Sequence, residues 1–337
     1  MKKFCVIGDP NNKPRFSSNI ITSSLNQAAK DLGLYDESGL QIKYDGCCNT
    51  HGDKTNAFIC TYEISFPEII KQNAAGKPII GVSLHNWNNI VTSNYSGKSD
   101  WFSLGVDSDY YEVTPKSKNL DKFVFGLYSE SLSRGGFEIV IDTFGKYFCS
   151  RNDVKLIIKD RNGDKKFFDY LDAVRCHYQV DIEYINEHWS SKEQVLDFAS
   201  KIDVYINTNR CSTFNMPVLE MMSMGKPSII TNYSGPADFC LDEFNCLAPK
   251  FSVDEISIDL NYLQLIGCRN FFFNGGYTVN PVWANTDKSS LFAKMDRLIS
   301  DKKTRDLISK NARLTAEKMT WKKSLNQLSY IVNELCS

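Results

Sequence analysis

The stretch at residues 205–238, YINTNRCSTFNMPVLEMMSMGKPSIITNYSGPAD, constrains the fold more than any other part of the chain. A β-rich run ends at Thr208, a polar loop covers residues 209–216, and a short helix is expected from Pro217 to Gly225. Proline gives up only an amide that a first helical turn leaves unbonded, so Pro217 suits a helix start. Pro227 forbids the helix to continue, and residues 228–231, SIIT, read as the next buried strand. The loop therefore joins the carboxyl end of a strand to the amino end of a helix. Open parallel sheets bind phosphorylated ligands at such junctions, where unbonded amides and the helix dipole favour negative charge.

The same alternation runs through the rest of the chain. Residues 3–8, 40–44, 57–62 and 78–84 read as strands, with one helix that follows a cap at Ser17 or Ser18 and ends at Gly33, another over 67–73, and residues 102–106 and 110–113 as further short strands. The polar, turn-rich TPKSKN at 114–119 reads as an interdomain linker. A second series follows, with strands at 123–127, 155–159, 182–185 and 204–207 between helices at 136–148, 167–175 and 191–201. Ser190 or Ser191 is the expected cap of the last of these. Helices are expected at 289–300, 303–319 and 321–336, whereas the aromatic segment 268–283 carries no assignable pattern. Strands alternating with helices predict an α/β fold, with parallel sheets covered on both faces.

Composition narrows the chemistry. A chain of 337 residues, 42% of them hydrophobic, can build two domains with real cores. A net charge of −1 gives no support to a surface built on phosphate-backbone contacts. The 11 cysteines include no CxxC pair, although Cys47 and Cys48 are adjacent, which points to free thiols in a reducing cytosol. The opening MKKFCVIGDP has too short an apolar run for a signal peptide, and no apolar stretch is long enough to span a bilayer. The expected location is cytoplasmic, which includes the cytoplasm of a virus-infected host cell. His51, His177 and His188 have no partners at metal-ligand spacing. Asp107-Ser108-Asp109 has the D-x-D form of a divalent-ion site, but short acidic turns are common. Residues 160–164, DRNGD, resemble the start of a calcium loop but lack its twelfth-position glutamate.

Several motifs, taken in order, carry a family resemblance. They are Asp203-Val204-Tyr205-Ile206, then Phe214, Glu220, Met222, Gly225 and Pro227, then residues 229–231. Gly126, Gly136-Phe137-Glu138-Ile139 and Phe144 precede them, and Trp321 opens the last helix. From about Val124 to Leu335 the chain resembles the GT-B-fold retaining glycosyltransferases of family 4, the glycosyl transferases group 1. The resemblance implies two Rossmann-like domains facing a cleft. Residues 1–116 would bind the acceptor and residues 120–320 the nucleotide sugar, with the 321–337 helix packing back on the first domain. It also implies transfer from a UDP- or GDP-sugar co-substrate to an acceptor hydroxyl with retention, without a protein nucleophile and with no metal or other cofactor required.

The resemblance assigns site residues one by one. Glu220 falls where relatives hold the donor ribose; the other reading is a capping-box glutamate, although no Ser or Thr lies three residues before it. Ser212 stands where relatives carry a second glutamate that contacts the transferred sugar, so the donor sugar is open. Leu127 and Gly135 occupy the places of the family's arginine and lysine; Arg134 is the nearest replacement cation, and Lys159 a second. The alternative for Arg134 is a solvated surface arginine. The backbone around Thr213, Phe214, Asn215 and Met216 would meet the diphosphate, as N–H groups at a helix start. His85 faces the donor sugar or is a satisfied strand-end histidine, and Asn186 lies by the nucleobase or in a plain loop. Gly8 resembles the family's glycine loop without its double glycine, and Gly235 makes a turn or a phosphate contact.

The acceptor is open among a glycan, a lipid-linked saccharide and a modified DNA base. The rival readings are a viral-type transferase acting on a hydroxylated DNA base, a sugar-nucleotide epimerase on the same fold, and a non-catalytic nucleotide-sugar-binding protein.

Overall fold

The computed structural model describes residues 4–7, 24, 25, 27, 28, 30, 31, 57–60, 79–81, 103–107, 110, 122–128, 135–160, 165–187, 189, 191–212, 214–255 and 282–335. Three short parallel strands lie near the start: β1 (Phe4–Ile7), β2 (Ala57–Cys60) and β3 (Ile79–Gly81), in that order across their sheet. The expected strand at 40–44 and helix at 67–73 lie outside the described residues.

A five-stranded parallel sheet organises the second half. Its strands are β4 (Phe123–Tyr128), β5 (Val154–Asp160), β6 (Ile182–Asn186), β7 (Val204–Asn207) and β8 (Ser228–Ile230). Their order is β6-β5-β4-β7-β8, with Phe125 opposite both Leu156 and Val204. FVFGLY is a near-continuous apolar run, and VKLIIKD and VYIN are buried along most of their length, as expected of strands covered on both faces. Helices cross between them: α1 (Phe137–Tyr147), α2 (Lys165–Tyr178), α3 (Lys192–Lys201) and α4 (Met216–Ser223). Three more follow: α5 (Lys288–Ser300), α6 (Lys302–Ala316) and α7 (Trp321–Leu335).

Alternation along each strand sorts side chains to two cores. Phe125, Leu156, Ile158, Val204, Ile206 and Ile229 pack with α1, α2 and α5. Val124, Ile157, Tyr205 and Ile230 pack with α3, α4 and the Ala312 and Ala316 stripe of α6. Side-chain caps start α3 and α6, the first at the expected Ser191. The Ser191 amide donates to Gln194 Oε1 at 3.2 Å ahead of α3, and Asp301 accepts from the Thr304 amide at 2.9 Å ahead of α6. Helix α4 begins at Met216, with Pro217 in its first turn. The chain leaves α4 through Gly225, where the Lys226 amide donates to Met221 O and the Gly225 amide to Met222 O, both at 2.9 Å.

Two readings need correction. Residues 103–105 form no strand; Val106 makes one bridge, with Thr320, and Tyr110 lies in a 3-10 turn. Thr320 immediately precedes α7, so a ladder there has no second partner to reach. The other is an antiparallel pair of strands, β9 (Phe251–Glu255) and β10 (Val282–Thr286), which the sequence reading did not assign. Its strands are far apart in sequence, with no short turn signal to join them.

Candidate active site

The strand order reverses at β4: β5 and β6 extend to one side, β7 and β8 to the other. The chain leaves β4 for α1 on one face and β7 for α4 on the other, and such a switch point opens the crevice where α/β sheets take ligands. The loops leaving those two strands are tied together. Thr208 Oγ1 donates to Gly136 O at 3.0 Å, just ahead of α1. Gly136 sits at φ 64°, and a Cβ there would lie 2.5 Å from Thr208 O, so only glycine allows the approach.

A polar network fills the base of the crevice. Tyr205 is fully buried and donates from its hydroxyl to Tyr128 O at 2.8 Å. Asn207 Nδ2 donates to that hydroxyl at 2.9 Å, and Asn215 Nδ2 donates to Asn207 Oδ1 at 3.0 Å. This chain fixes Asn215, which at φ 70° delivers the backbone into α4. Burial pushes the Tyr205 phenol far above its ordinary range, so it stays a neutral hydrogen-bonding group. The side chains of Tyr205, Asn207 and Asn215 all find partners in this network, as burial demands. The amino terminus of α4 is therefore held rigidly beside the crevice, its dipole suited to an anion.

Two buried charges flank the network. Glu220 of α4 is 4% exposed and accepts a hydrogen bond from the Tyr110 hydroxyl at 2.9 Å. Lys159, at the end of β5, is also 4% exposed, its ammonium 4.6 Å from the Trp189 ring centroid and 5.1 Å from that of Tyr128. Its neighbour Asp160 faces the other way and accepts from the Tyr184 hydroxyl at 2.7 Å.

The loop after β7 is braced from two sides. The Ser212 carbonyl accepts from the Gly235 amide and from Ser234 Oγ, both at 2.8 Å, so two sequence-nominated residues meet through backbone. Arg210 reaches the other way. Its guanidinium lies 2.6 Å from Glu138 Oε1 on α1, donates from Nε to Asn285 Oδ1 at 3.2 Å, and stacks 4.5 Å from the Trp283 ring. The Ala284 amide donates to Arg210 O at 2.9 Å, so β10 holds this loop by both backbone and side chain.

The remaining nominated residues divide. Asn215 and Met216 are at the start of α4, while the Phe214 ring packs 5.1 Å from that of Phe239, in the apolar core beside it. Asn186 ends the edge strand β6, exposed, opposite Asp160 and two strands from the crevice. His85, Arg134, Thr213 and Gly8 lie outside the described residues. Tyr110, Tyr205, Asn207 and Arg210 were not nominated by sequence. For Tyr205 and Asn207 a signal existed: two hydrogen-bonding side chains on one face of an otherwise apolar strand. Among the described residues no cluster of His, Cys, Asp and Glu is suited to a metal ion, and no helix is long and apolar enough to cross a membrane.

Residues 112–264 match the family described as Glycosyl transferases group 1. A search of curated proteins finds no match. The fold is similar to that of Anabaena Alr3699/HepE, solved in complex with UDP-glucose, at 12% identity over 99% of this chain and 100% of that chain, with a TM-score of 0.65. A glycosyltransferase from Rickettsia africae ESF-5 aligns over 99% of this chain and 98% of its own, at 12% identity and a TM-score of 0.67. Sucrose-phosphate synthase from Thermosynechococcus elongatus aligns over 99% of each, at 12% identity and a TM-score of 0.66. Likeness at this identity is one of fold: an α/β protein of GT-B architecture, with two Rossmann-like domains facing a cleft.

Proposed function

We propose that the chain is a retaining, family 4 glycosyltransferase that moves a sugar from a nucleoside-diphosphate sugar to an acceptor hydroxyl. The observation that carries this reading is the buried Glu220 on a helix whose amino terminus is fixed at the sheet's switch point. The group 1 match over residues 112–264 spans that same crevice. In this reading residues 1–116 bind the acceptor, residues 120–320 bind the donor, and the 321–337 helix returns to the first domain.

The roles follow from charge and shape. A carboxylate accepts several hydrogen bonds at once, which suits Glu220 to the paired hydroxyls of a ribose. The diphosphate meets the amides that open α4, and Lys159 supplies a fixed cation near it, joined by Arg134. The sugar lies over the loop at Ser212, with His85 across the cleft. Because Ser212 offers no negative charge, the sugar is recognised there by hydrogen bonding rather than by a carboxylate. Transfer breaks the bond between the anomeric carbon and the diphosphate oxygen. A new bond forms from the acceptor oxygen on the same face, and the acceptor proton passes to the departing phosphate. The proposed co-substrate is a UDP- or GDP-sugar.

Titration calorimetry with UDP, GDP and ADP tests the donor site, and screening for hydrolysis across nucleotide sugars tests the chemistry. Binding of one nucleotide with slow release of its sugar is the expected result. Failure of all three nucleotides to bind overturns the reading. Binding with neither hydrolysis nor transfer reduces the protein to a nucleotide-sugar-binding module.

A further inference from the structure

Tyr110 precedes the donor-site fold in sequence, yet its hydroxyl ends at the carboxylate of Glu220, in a buried bond of 2.9 Å. Its ring is 5% exposed, and the Lys192 ammonium at the start of α3 lies 5.6 Å from the ring centroid. The backbone behind it is anchored as well. The Tyr110 amide donates to Asp107 O at 3.3 Å, and the Val106 amide donates to Met319 O at 3.0 Å. Beside it, Gly105 lies so close to the last helix that a Cβ there would be 2.2 Å from the Trp321 amide nitrogen. Ser103 continues the contact, its amide donating to Gln327 Oε1 at 3.2 Å. Residues 103–107 thus lie along the start of α7, and Tyr110, a few residues on, reaches Glu220.

We propose that Tyr110 is a positioning residue for the donor site. It orients the Glu220 carboxylate toward the donor and ties that orientation to the place where the chain crosses into α7. The inference rests on the donor-binding role given to Glu220 above. A hydroxyl donating to a buried carboxylate removes the side chain's freedom to turn away from its ligand, while leaving it lone pairs to accept further bonds. The Tyr110 ring does the packing and the hydroxyl does the orienting, so the two can be separated. Tyr110→Phe keeps the ring, its burial and its contact with Lys192, and deletes only the donor.

The test is calorimetry with UDP and GDP on the full chain. It compares wild type, Tyr110→Phe, Glu220→Gln and the double variant, with thermal melts alongside. Loss of a hydrogen bond to a charged group predicts that Tyr110→Phe weakens nucleotide binding about 10- to 100-fold. Its melting temperature should stay within a few degrees of wild type. Because Tyr110 acts through Glu220, the double variant should bind no more weakly than Glu220→Gln alone. A Tyr110→Phe protein with wild-type affinity overturns the inference, and so does a double variant whose losses multiply. If the wild type itself binds neither nucleotide, the donor-site reading falls and takes this inference with it. A folded wild type that binds while Tyr110→Phe makes no difference sinks only the inference.

Discussion

The two faces of the five-stranded sheet are built to different rules. The face under α1, α2 and α5 is an apolar core of Phe125, Leu156, Val204, Phe144, Leu291 and their neighbours, with one buried charge at its rim, Asp160, held by the Tyr184 hydroxyl. The face under α3, α4 and α6 carries Tyr205 and Asn207 among its buried groups, and Lys159 and Glu220 beside them. The strands are the same; only the parity of the residue differs. Ile158 faces one core and Lys159 the other side, and Val204 and Ile206 alternate with Tyr205 and Asn207. Burying hydroxyl, amide and charged groups costs free energy that an apolar face does not spend. They collect toward the carboxyl ends of β4, β5 and β7, beside the crevice. The apolar face holds the domain together, and the mixed face trades some of that stability for a site.

If that division holds, the largest stability effect belongs to the plain face. Phe144 is fully buried against Phe125 and Phe148. Phe144→Ala should cost about 3–5 kcal/mol through lost contacts and a residual cavity. Chemical denaturation reads the loss, and nucleotide affinity of the protein that remains folded should be unchanged. A parallel loss of affinity would mean the faces are not separable.

On the mixed face, Tyr205→Phe deletes one hydroxyl without opening a cavity. Tyr128 O loses its donor and Asn207 Nδ2 its acceptor. The expected cost is about 1–3 kcal/mol. Nucleotide binding should weaken too, because Asn207 and Asn215 would no longer hold the start of α4. A variant as stable and as tightly binding as wild type would reduce the network to ordinary packing.

Much of this division was legible in the sequence, and what was not has physical reasons. The α/β alternation showed because each strand is a short β-branched or aromatic run bounded by turn formers. Helix α4 showed because Pro217 and Gly225 mark its ends chemically. Ser191 was readable as a cap for the same kind of local reason. Contacts between remote segments left no such trace. Tyr110 and Glu220 are 110 positions apart, and neither residue announces the other. Arg210 looked like one more polar loop residue, because Glu138, Trp283 and Asn285 reach it only after folding. The strand pairing of β9 with β10 was hidden in the same way. At Val106 an apolar run of strand character met a partner that stops after one residue, so propensity lost to context.

Lys159 sharpens the comparison, because its stem serves the fold and its charge the site. Methionine can lie against the Tyr128 and Trp189 rings in its place, so Lys159→Met gives up the ammonium's own contacts and little packing. Those contacts include the two rings, worth about 0.5–2 kcal/mol, and folding stability should fall on that scale. Diphosphate affinity should fall, with the bare nucleoside losing little. Calorimetry with UDP and uridine, or GDP and guanosine, separates the two. Equal losses for nucleotide and nucleoside would remove Lys159 from the site.

The smallest effect is expected where the coverings of the two faces meet. Glu243 sits in the turn between Cys240 and Cys246, which belongs to the mixed-face core, and pairs with Lys294 and Arg297 of α5, which covers the plain face. The Lys294 hydrogen bond, then that of Arg297, holds the Glu243 carboxyl below its ordinary value of 4.5. A carboxylate whose folded value is depressed adds stability above its unfolded value, and that stability is lost as pH falls through the folded one. The glutamate is 45% exposed, so solvent screens the pair, and about 0.2–1 kcal/mol is the expected scale. Glu243→Gln should therefore unfold slightly more easily than wild type at pH 7. The gap should close on acidification below pH 4.5 and shrink in high salt. Urea titrations of both proteins at pH 7 and at acid pH measure it. A gap that persists in acid would assign Glu243 a packing role, and the two faces would then be joined by shape rather than by charge.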